Sequence, residues 1–223
     1  MPKLGANHEN LDAKIYSELK SMILERKLLP GEKIYQDKLA QDLGVSRTPL
    51  VNALKYLERE KLIKAIPRRG YYVRQFTKDE MIHIFELREV LEGLAARRAS
   101  VNITDVQIKR LNSFFSRFQE SNRLTDYKAY AREDRRFHNF VIEVGGKKFL
   151  KNLISSYNVI SFSYQLDATE GLVRPPSETL KEHLAIIEAI NNRDPVKAED
   201  KMRLHLRKSL EQLKKDLSEV KNK

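Results

Sequence analysis

Apolar positions recur every three or four residues along most of this chain. Ile15, Leu19, Met22 and Ile23 share one face and predict a helix from Asp12 to about Lys27. Pro30-Gly31 marks a turn, and Gln36–Leu43 predicts a second, short helix stopped by Gly44. Ser46 is placed to cap a third helix running to Glu60, with Pro49 inside the first turn, where no backbone donor is needed. Leu50, Ala53, Leu54 and Leu57 make its buried stripe. Arg47, Val51 and Lys55 fall on another face, with Thr48 and Asn52 beside them. Two helices joined through a glycine-containing turn form a helix-turn-helix, whose second helix is the one that enters a DNA major groove. Leu62–Ile66 and Tyr71–Arg74 then alternate as strands around Pro67-Arg68-Arg69-Gly70, a basic hairpin or wing.

After Arg74 the strand pattern stops. Thr77-Lys78-Asp79-Glu80 reads as a capping box that opens a helix carrying Met81, Ile84, Leu87, Leu91 and Leu94 to about Arg98. Further helices are expected over 104–121, 125–144 and 147–166, with Gly145-Gly146 dividing the last two. GLVRPPS is a loop, Ser177 is expected to cap a helix to about Asn191, and Asp194-Pro195 opens the final helix. The fold class is therefore mainly α. An N-terminal winged helix-turn-helix with a small β-hairpin wing (residues 1–76) precedes an all-α helical bundle (residues 77–223).

Composition narrows the function classes. The 223 residues carry a net charge of +11, and residues 1–76 hold 15 Lys and Arg against 9 Asp and Glu, so one third of the chain carries just over half the excess. That imbalance suits a polyanion. There are no cysteines, which excludes a disulfide framework and a zinc ribbon. No apolar run approaches a membrane span and the N-terminus has no signal-peptide pattern, so no membrane partner and a cytoplasmic location are expected.

Chemistry in the second part is concentrated in Asp134, His138, His183 and His205. Asp134 and His138 are four apart and project from one face, which Val141 and the neighbouring Phe137 turn inward. His183 is flanked by Ile186 and Ile187, and His205 lies in MRLHL. Inward histidines are ordinarily core groups bonded to carbonyls. Three of them on three helices with an aspartate also suit a divalent metal, and spacing alone leaves both readings open. His8 and His83 read as ordinary histidines.

The stretch GVSRTPLVNALKYLEREKLI…PRRGYYV resembles the DNA-binding domain of the GntR family of bacterial transcriptional regulators, over about residues 12–76. Turn, helix start, core spacing and wing tip match together. The resemblance implies double-stranded operator DNA as partner, with contacts from Ser46, Arg47, Thr48, Asn52, Lys55, Arg68, Arg69 and Gly70. Two positions depart from the family, which usually places arginines where this chain has Asp37 and Val51. Val51 can pack on a thymine methyl and Asn52 can pair with adenine, so an A·T-weighted half-site is expected.

Residues 78–223 resemble the FCD effector domain of FadR-type members. That resemblance implies a divalent metal held by Asp134, His138, His183 and His205 (Zn²⁺, with Ni²⁺, Mn²⁺ or Fe²⁺ as other candidates), a small carboxylate effector, and a homodimer. Arg88 matches a family arginine that can face the effector. A surface salt bridge to Glu92, four residues on, is the other reading of it. The expected function is a DNA-binding regulator and not an enzyme. A metal-dependent hydrolase and a low-specificity architectural DNA binder are the alternatives.

Overall fold

Gly44 takes φ +63°, a left-handed turn that a Cβ would disfavour. It joins the second and third helices of the chain. The computed structural model describes residues 9–25, 27–119, 124–163 and 172–221, and the chain divides into two compact units, Met1–Gln75 and Phe76–Lys223. His8 lies outside the described residues.

The first unit runs α1 (Glu9–Leu24), β1 (Lys33–Ile34), α2 (Gln36–Asp42), α3 (Arg47–Arg59), β2 (Ile63–Ile66) and β3 (Gly70–Val73). Leu50, Ala53, Leu54 and Leu57 are fully buried, as their spacing requires, and α3 packs on α1 through Ile15, Leu19 and Ile23. Each buried leucine contributes about 2 kcal/mol. The sheet is antiparallel with order β1-β3-β2. The expected hairpin pairs Ile63 with Val73 and Ile66 with Gly70. The strand β1 was not expected, since two residues are too few to show an alternation.

Ser46 stands at the N-cap of α3 with extended backbone, but its side chain makes no capping bond. The reason lies three residues on. Pro49 occupies the position whose amide a capping serine accepts from, and proline has no such amide. The Ser46 hydroxyl is left for a partner outside the helix.

The second unit is α-helical throughout its described residues: α4 (Lys78–Asn102), α5 (Asp105–Ser113), a 3-10 turn (Ser116–Phe118), α6 (Tyr127–Ser163), α7 (Pro176–Asn191) and α8 (Pro195–Lys221). Thr77 and Glu80 form the expected capping box, with the Glu80 amide donating to Thr77 Oγ1 at 3.2 Å and the Thr77 amide to Glu80 Oε2 at 2.9 Å. Asp194 caps α8 by accepting from the Lys197 amide at 2.9 Å. Thr104 and Gln107 make a second capping box. The bundle architecture is as expected.

Three expectations are corrected. Gly145-Gly146 does not divide two helices, because α6 runs through both residues. A Cβ on Gly145 would fall inside the Ala95 carbonyl, 2.7 Å from Ala95 C and 2.9 Å from Ala99 N. The glycine is there so that the α6 backbone can lie on α4, whose facing residues Ala95, Ala96 and Ala99 are also small and buried. The helix expected over 104–121 ends at Ser113, and Phe115 reverses the chain with φ +61°. Finally, α7 is not capped by Ser177. Its N-cap is Pro175 and Pro176 is the first helical residue, a position where the missing amide costs nothing.

Candidate functional site

Tyr130, Asp134 and His138 recur at four-residue steps on α6 and so line one face of it. His183 projects from the middle of α7 and His205 from α8, into the same space. One ligand atom from each of Asp134, His138, His183 and His205 lies within 4.8 Å of all the others, and the three imidazoles are buried. The reversal at Phe115 lays its ring flat on His183, with centroids 4.6 Å apart and planes 5° from parallel. Phe137 meets His183 edge-on at 5.2 Å. An aromatic wall therefore closes this side of the cluster.

The outer nitrogen of every imidazole is engaged. His138 Nδ1 lies 2.6 Å from Glu92 Oε2. His205 Nδ1 lies 2.8 Å from Glu182 Oε2. His183 Nδ1 lies 3.0 Å from the Tyr130 hydroxyl, which also reaches Thr179 Oγ1 at 2.9 Å. With protons on the Nδ1 atoms, all three Nε2 lone pairs are turned to the shared space. His183 Nε2 is buried and has no hydrogen-bond partner. Asp134 Oδ1 is 3.2 Å away but not aligned to accept a hydrogen bond from it. Leaving such an atom unsatisfied costs about 1–3 kcal/mol, and a divalent ion would remove the cost. Ligand atoms 2.0–2.2 Å from one ion stand roughly 3.3 Å apart. The separations from Asp134 Oδ1, 3.2 Å to His183 Nε2 and 4.0 Å to His138 Nε2, approach that spacing. The donor set fits a metal.

The electrostatics agree. Burial pushes the His183 pKa well below the ordinary imidazole value, and the neighbouring His205 and His138 push the same way. Burial lowers His205 too, against a partial opposing pull from Glu182. Burial would raise Glu92, but Arg88 and His138 outweigh it and hold the carboxyl at about 2. Glu182 is likewise held below the usual range, since His205, Arg174 and Lys208 outweigh its burial. The histidines are thus neutral and the carboxylates charged near pH 7, the forms a metal needs.

A pH dependence follows. Below about pH 6.5 the unfolded chain takes up imidazole protons that folded His183 and His205 refuse, so stability is complete above that value and declines as pH falls through it. Each histidine contributes up to about 1.4 kcal/mol per pH unit. Chelator-treated protein is expected to show a urea midpoint that drops steadily from pH 7 to pH 5. A flat midpoint would contradict neutral burial.

Arg88 is placed differently from both readings of the sequence. It is 4% exposed, its guanidinium lies over the Phe85 ring at 4.9 Å, and its Nε donates to Glu92 Oε1 at 2.5 Å. The pair is a buried one, not a surface bridge. Arg88 also lines a cleft of about 40 Å³ beside Asp134, His138 and His205, with room for about three waters. Arg174, on the opposite wall, was not singled out from the sequence, because nothing in VRPPS sets it apart. Glu92, Glu182 and Tyr130 were also missed. The signal for Tyr130 was present, four residues before Asp134.

In the first unit Ser46, Arg47, Thr48 and Lys55 are exposed at the start and on one face of α3, and Arg68 and Arg69 are exposed at the wing tip before Gly70. Arg68 holds φ +63°. Asp37 lies 3.4 Å from Arg47. Asn52 does not face outward freely, because its amide donates to Asp12 Oδ2 of α1 at 3.0 Å. That bond removes one support of an A·T-weighted half-site.

Comparison with known proteins bears on both units. Residues 11–73 match the family described as bacterial regulatory proteins, gntR family, and residues 83–208 match the FCD domain. The chain is 28% identical over 211 residues to the HTH-type transcriptional regulator YdhC of Bacillus subtilis, covering 92% of each chain. It is 31% identical over 139 residues to the Nta operon transcriptional regulator of Aminobacter aminovorans, covering 62% of this chain and 66% of that one. Among solved structures, E. coli McbR/YncC superposes with a TM-score of 0.79 at 20% identity, over 93% of this chain and 98% of the other. This last likeness is one of fold.

Proposed function

The chain belongs to the gntR family of bacterial regulatory proteins, with an FCD domain as its second part, and from that premise we propose a homodimeric, metal-containing regulator whose operator affinity answers to a small organic acid. That it is a transcriptional regulator, and not an enzyme, follows from its domains and relatives. No helix among the described residues is long and apolar enough to cross a membrane.

The observation that carries the metal reading is the orphaned His183 Nε2, turned to the space it shares with Asp134, His138 and His205. Three imidazoles and one carboxylate suit Zn²⁺ first, with Ni²⁺, Mn²⁺ and Fe²⁺ compatible. A bound ion would offer a Lewis-acidic position for an effector carboxylate. Arg88 lines the adjoining cleft and is positioned to meet the anion, provided it shares its charge with Glu92. The cleft favours a compact acid over a long-chain one.

Ser46, Arg47, Thr48 and Lys55 would contact DNA from α3, and Arg68, Arg69 and Gly70 from the wing. Asn52 joins them only by leaving Asp12. Two subunits would present two such faces to a pseudo-palindromic operator, and the effector would act by shifting the population of subunit arrangements.

Arg47→Ala tests the DNA face. Without the arginine's hydrogen bonds to a base, operator binding should weaken by at least about tenfold per half-site. Thermal stability should not change, since Arg47 is exposed and its ion pair with Asp37 is a surface one. Gel shifts or fluorescence anisotropy at about 150 mM salt measure it. Unchanged operator affinity would remove Arg47 from the interface. Equal affinity of the wild type for operator and random DNA would favour the architectural reading.

A further inference from the structure

Arg88 and Arg174 are both buried in the wall of the cleft, and each is already tied to a carboxylate. Glu92 accepts from Arg88 Nε through Oε1 at 2.5 Å, while its Oε2 stands 2.6 Å from His138 Nδ1. Glu182 Oε2 accepts from Arg174 Nη2 at 2.5 Å and stands 2.8 Å from His205 Nδ1. Two chains of the same make, arginine to glutamate to imidazole, thus end on two of the four candidate ligands. Resting on the metal reading above, we propose that Glu92 and Glu182 are positioning residues shared between metal and cleft, so that an anion drawing an arginine away from its glutamate tightens the metal, and the metal tightens the anion.

What matters physically is where each glutamate's charge goes. A carboxylate that accepts from imidazole Nδ1–H fixes the ring and makes Nε2 a stronger ligand. A guanidinium on the same carboxylate competes for that charge. Removing the arginine's charge therefore strengthens the metal site, and removing the glutamate's charge weakens it. An incoming anion acts like partial removal of the arginine. By linkage, the metal must raise the anion's affinity by the same factor. The Glu92 chain should respond more strongly. Glu92 and His138 are 0% and 1% exposed, whereas Glu182 also accepts from Lys208 at 2.8 Å, which damps the effect of removing Arg174.

A purely structural role predicts something different. Both Arg88→Met and Glu92→Gln break the same buried pair, so if the pair only stabilised the fold, both would lower metal affinity. Under the linkage the two substitutions act with opposite signs.

The test uses the full-length chain and Zn²⁺ competed against a chromophoric chelator, in formate and in chloride at equal ionic strength. Formate is small enough for the cleft. Glu92→Gln is expected to weaken Zn²⁺ by about 10- to 100-fold, and Arg88→Met to tighten it. Wild type should bind Zn²⁺ more tightly in formate than in chloride, and Arg88→Met should abolish most of that difference. Should Arg88→Met not fold, Arg174→Met probes the other chain with the same sign and a smaller shift. The linkage is overturned if the arginine variants weaken Zn²⁺ as Glu92→Gln does. It is overturned equally if the formate effect survives Arg88→Met intact, which would mean that formate acts on the metal alone. A wild type that takes up no Zn²⁺ fails at the earlier step, the metal reading itself.

Discussion

His183→Ala is expected to lower the Zn²⁺ affinity of the full-length chain by about a hundred- to a thousandfold. Four ligands share roughly 10–16 kcal/mol in a structural zinc site, so one of them stands for about 3–4 kcal/mol, and each 1.4 kcal/mol is tenfold. His183 is the ligand to remove because its alternatives are fewest. It is fully buried, its Nδ1 is taken by Tyr130, Phe115 stacks on its face, and Nε2 has no hydrogen-bond partner in the protein. The same experiment has a thermal arm. A metal present at a thousand times its Kd adds about 4 kcal/mol to folding, so a chelator should lower the wild-type melting temperature by several degrees. The variant should start lower, because a cavity replaces the ring, and should then ignore the chelator. If His183 were only a core histidine, the variant would be destabilised in the same way but the chelator would move neither protein. The chelator response of the wild type separates the two.

Gly145→Ala should destabilise the second unit by about 3 kcal/mol or more, which reverses the usual sign. In an ordinary helix interior this substitution gains close to 1 kcal/mol. Here the new methyl group falls on the Ala95 carbonyl and close to Ala99 N. Those are backbone atoms of a long helix, and they cannot rotate aside, so α4 and α6 must separate. Overpacking in a rigid setting costs about 1–3 kcal/mol and sometimes more. The consequence reaches the site, since α4 carries Glu92 and α6 carries Asp134 and His138. Gly93→Ala is the internal control. Its methyl would meet Arg203 Cγ at 2.6 Å, which is the stem of a flexible side chain on α8 that can swing away. Urea titration should show a large fall in midpoint for Gly145→Ala and little change for Gly93→Ala. Equal effects would mean that helix propensity, not the close approach, decides at Gly145.

These two substitutions also mark what could be read in advance. His183 was legible as a candidate because its chemistry is written in its own residue type and its neighbours, Ile186 and Ile187, told which way it faced. Gly145 was legible as a glycine and misread as a break. A glycine that ends a helix and one that admits another helix look alike until the partner is known, and that partner, Ala95, is fifty residues away. Phe115 is a similar case. FF in an apolar-polar pattern reads as more helix, and the left-handed turn at Phe115 exists because its ring fills the space over His183. The metal ligands could be named from spacing and resemblance, whereas Arg174, Glu182 and Glu92 could not, since arginines and glutamates are the commonest surface residues and burial alone distinguishes these.

What the sequence by itself determined is local. Gly44, Thr77 with Glu80, Asp194 with Pro195, and the leucine stripe of α3 each specify their element within a few residues, because caps, left-handed turns and helical periodicity depend on atoms one or two turns apart. The tertiary structure decided everything that depends on atoms distant in sequence. It made Gly145-Gly146 a close approach instead of a break, turned Asn52 toward Asp12, buried Arg88 on Glu92, and brought imidazoles from α6, α7 and α8 to one point. The physical reason is common to these. The identity of a side chain fixes what it is able to bond, but packing between helices sets what lies within reach.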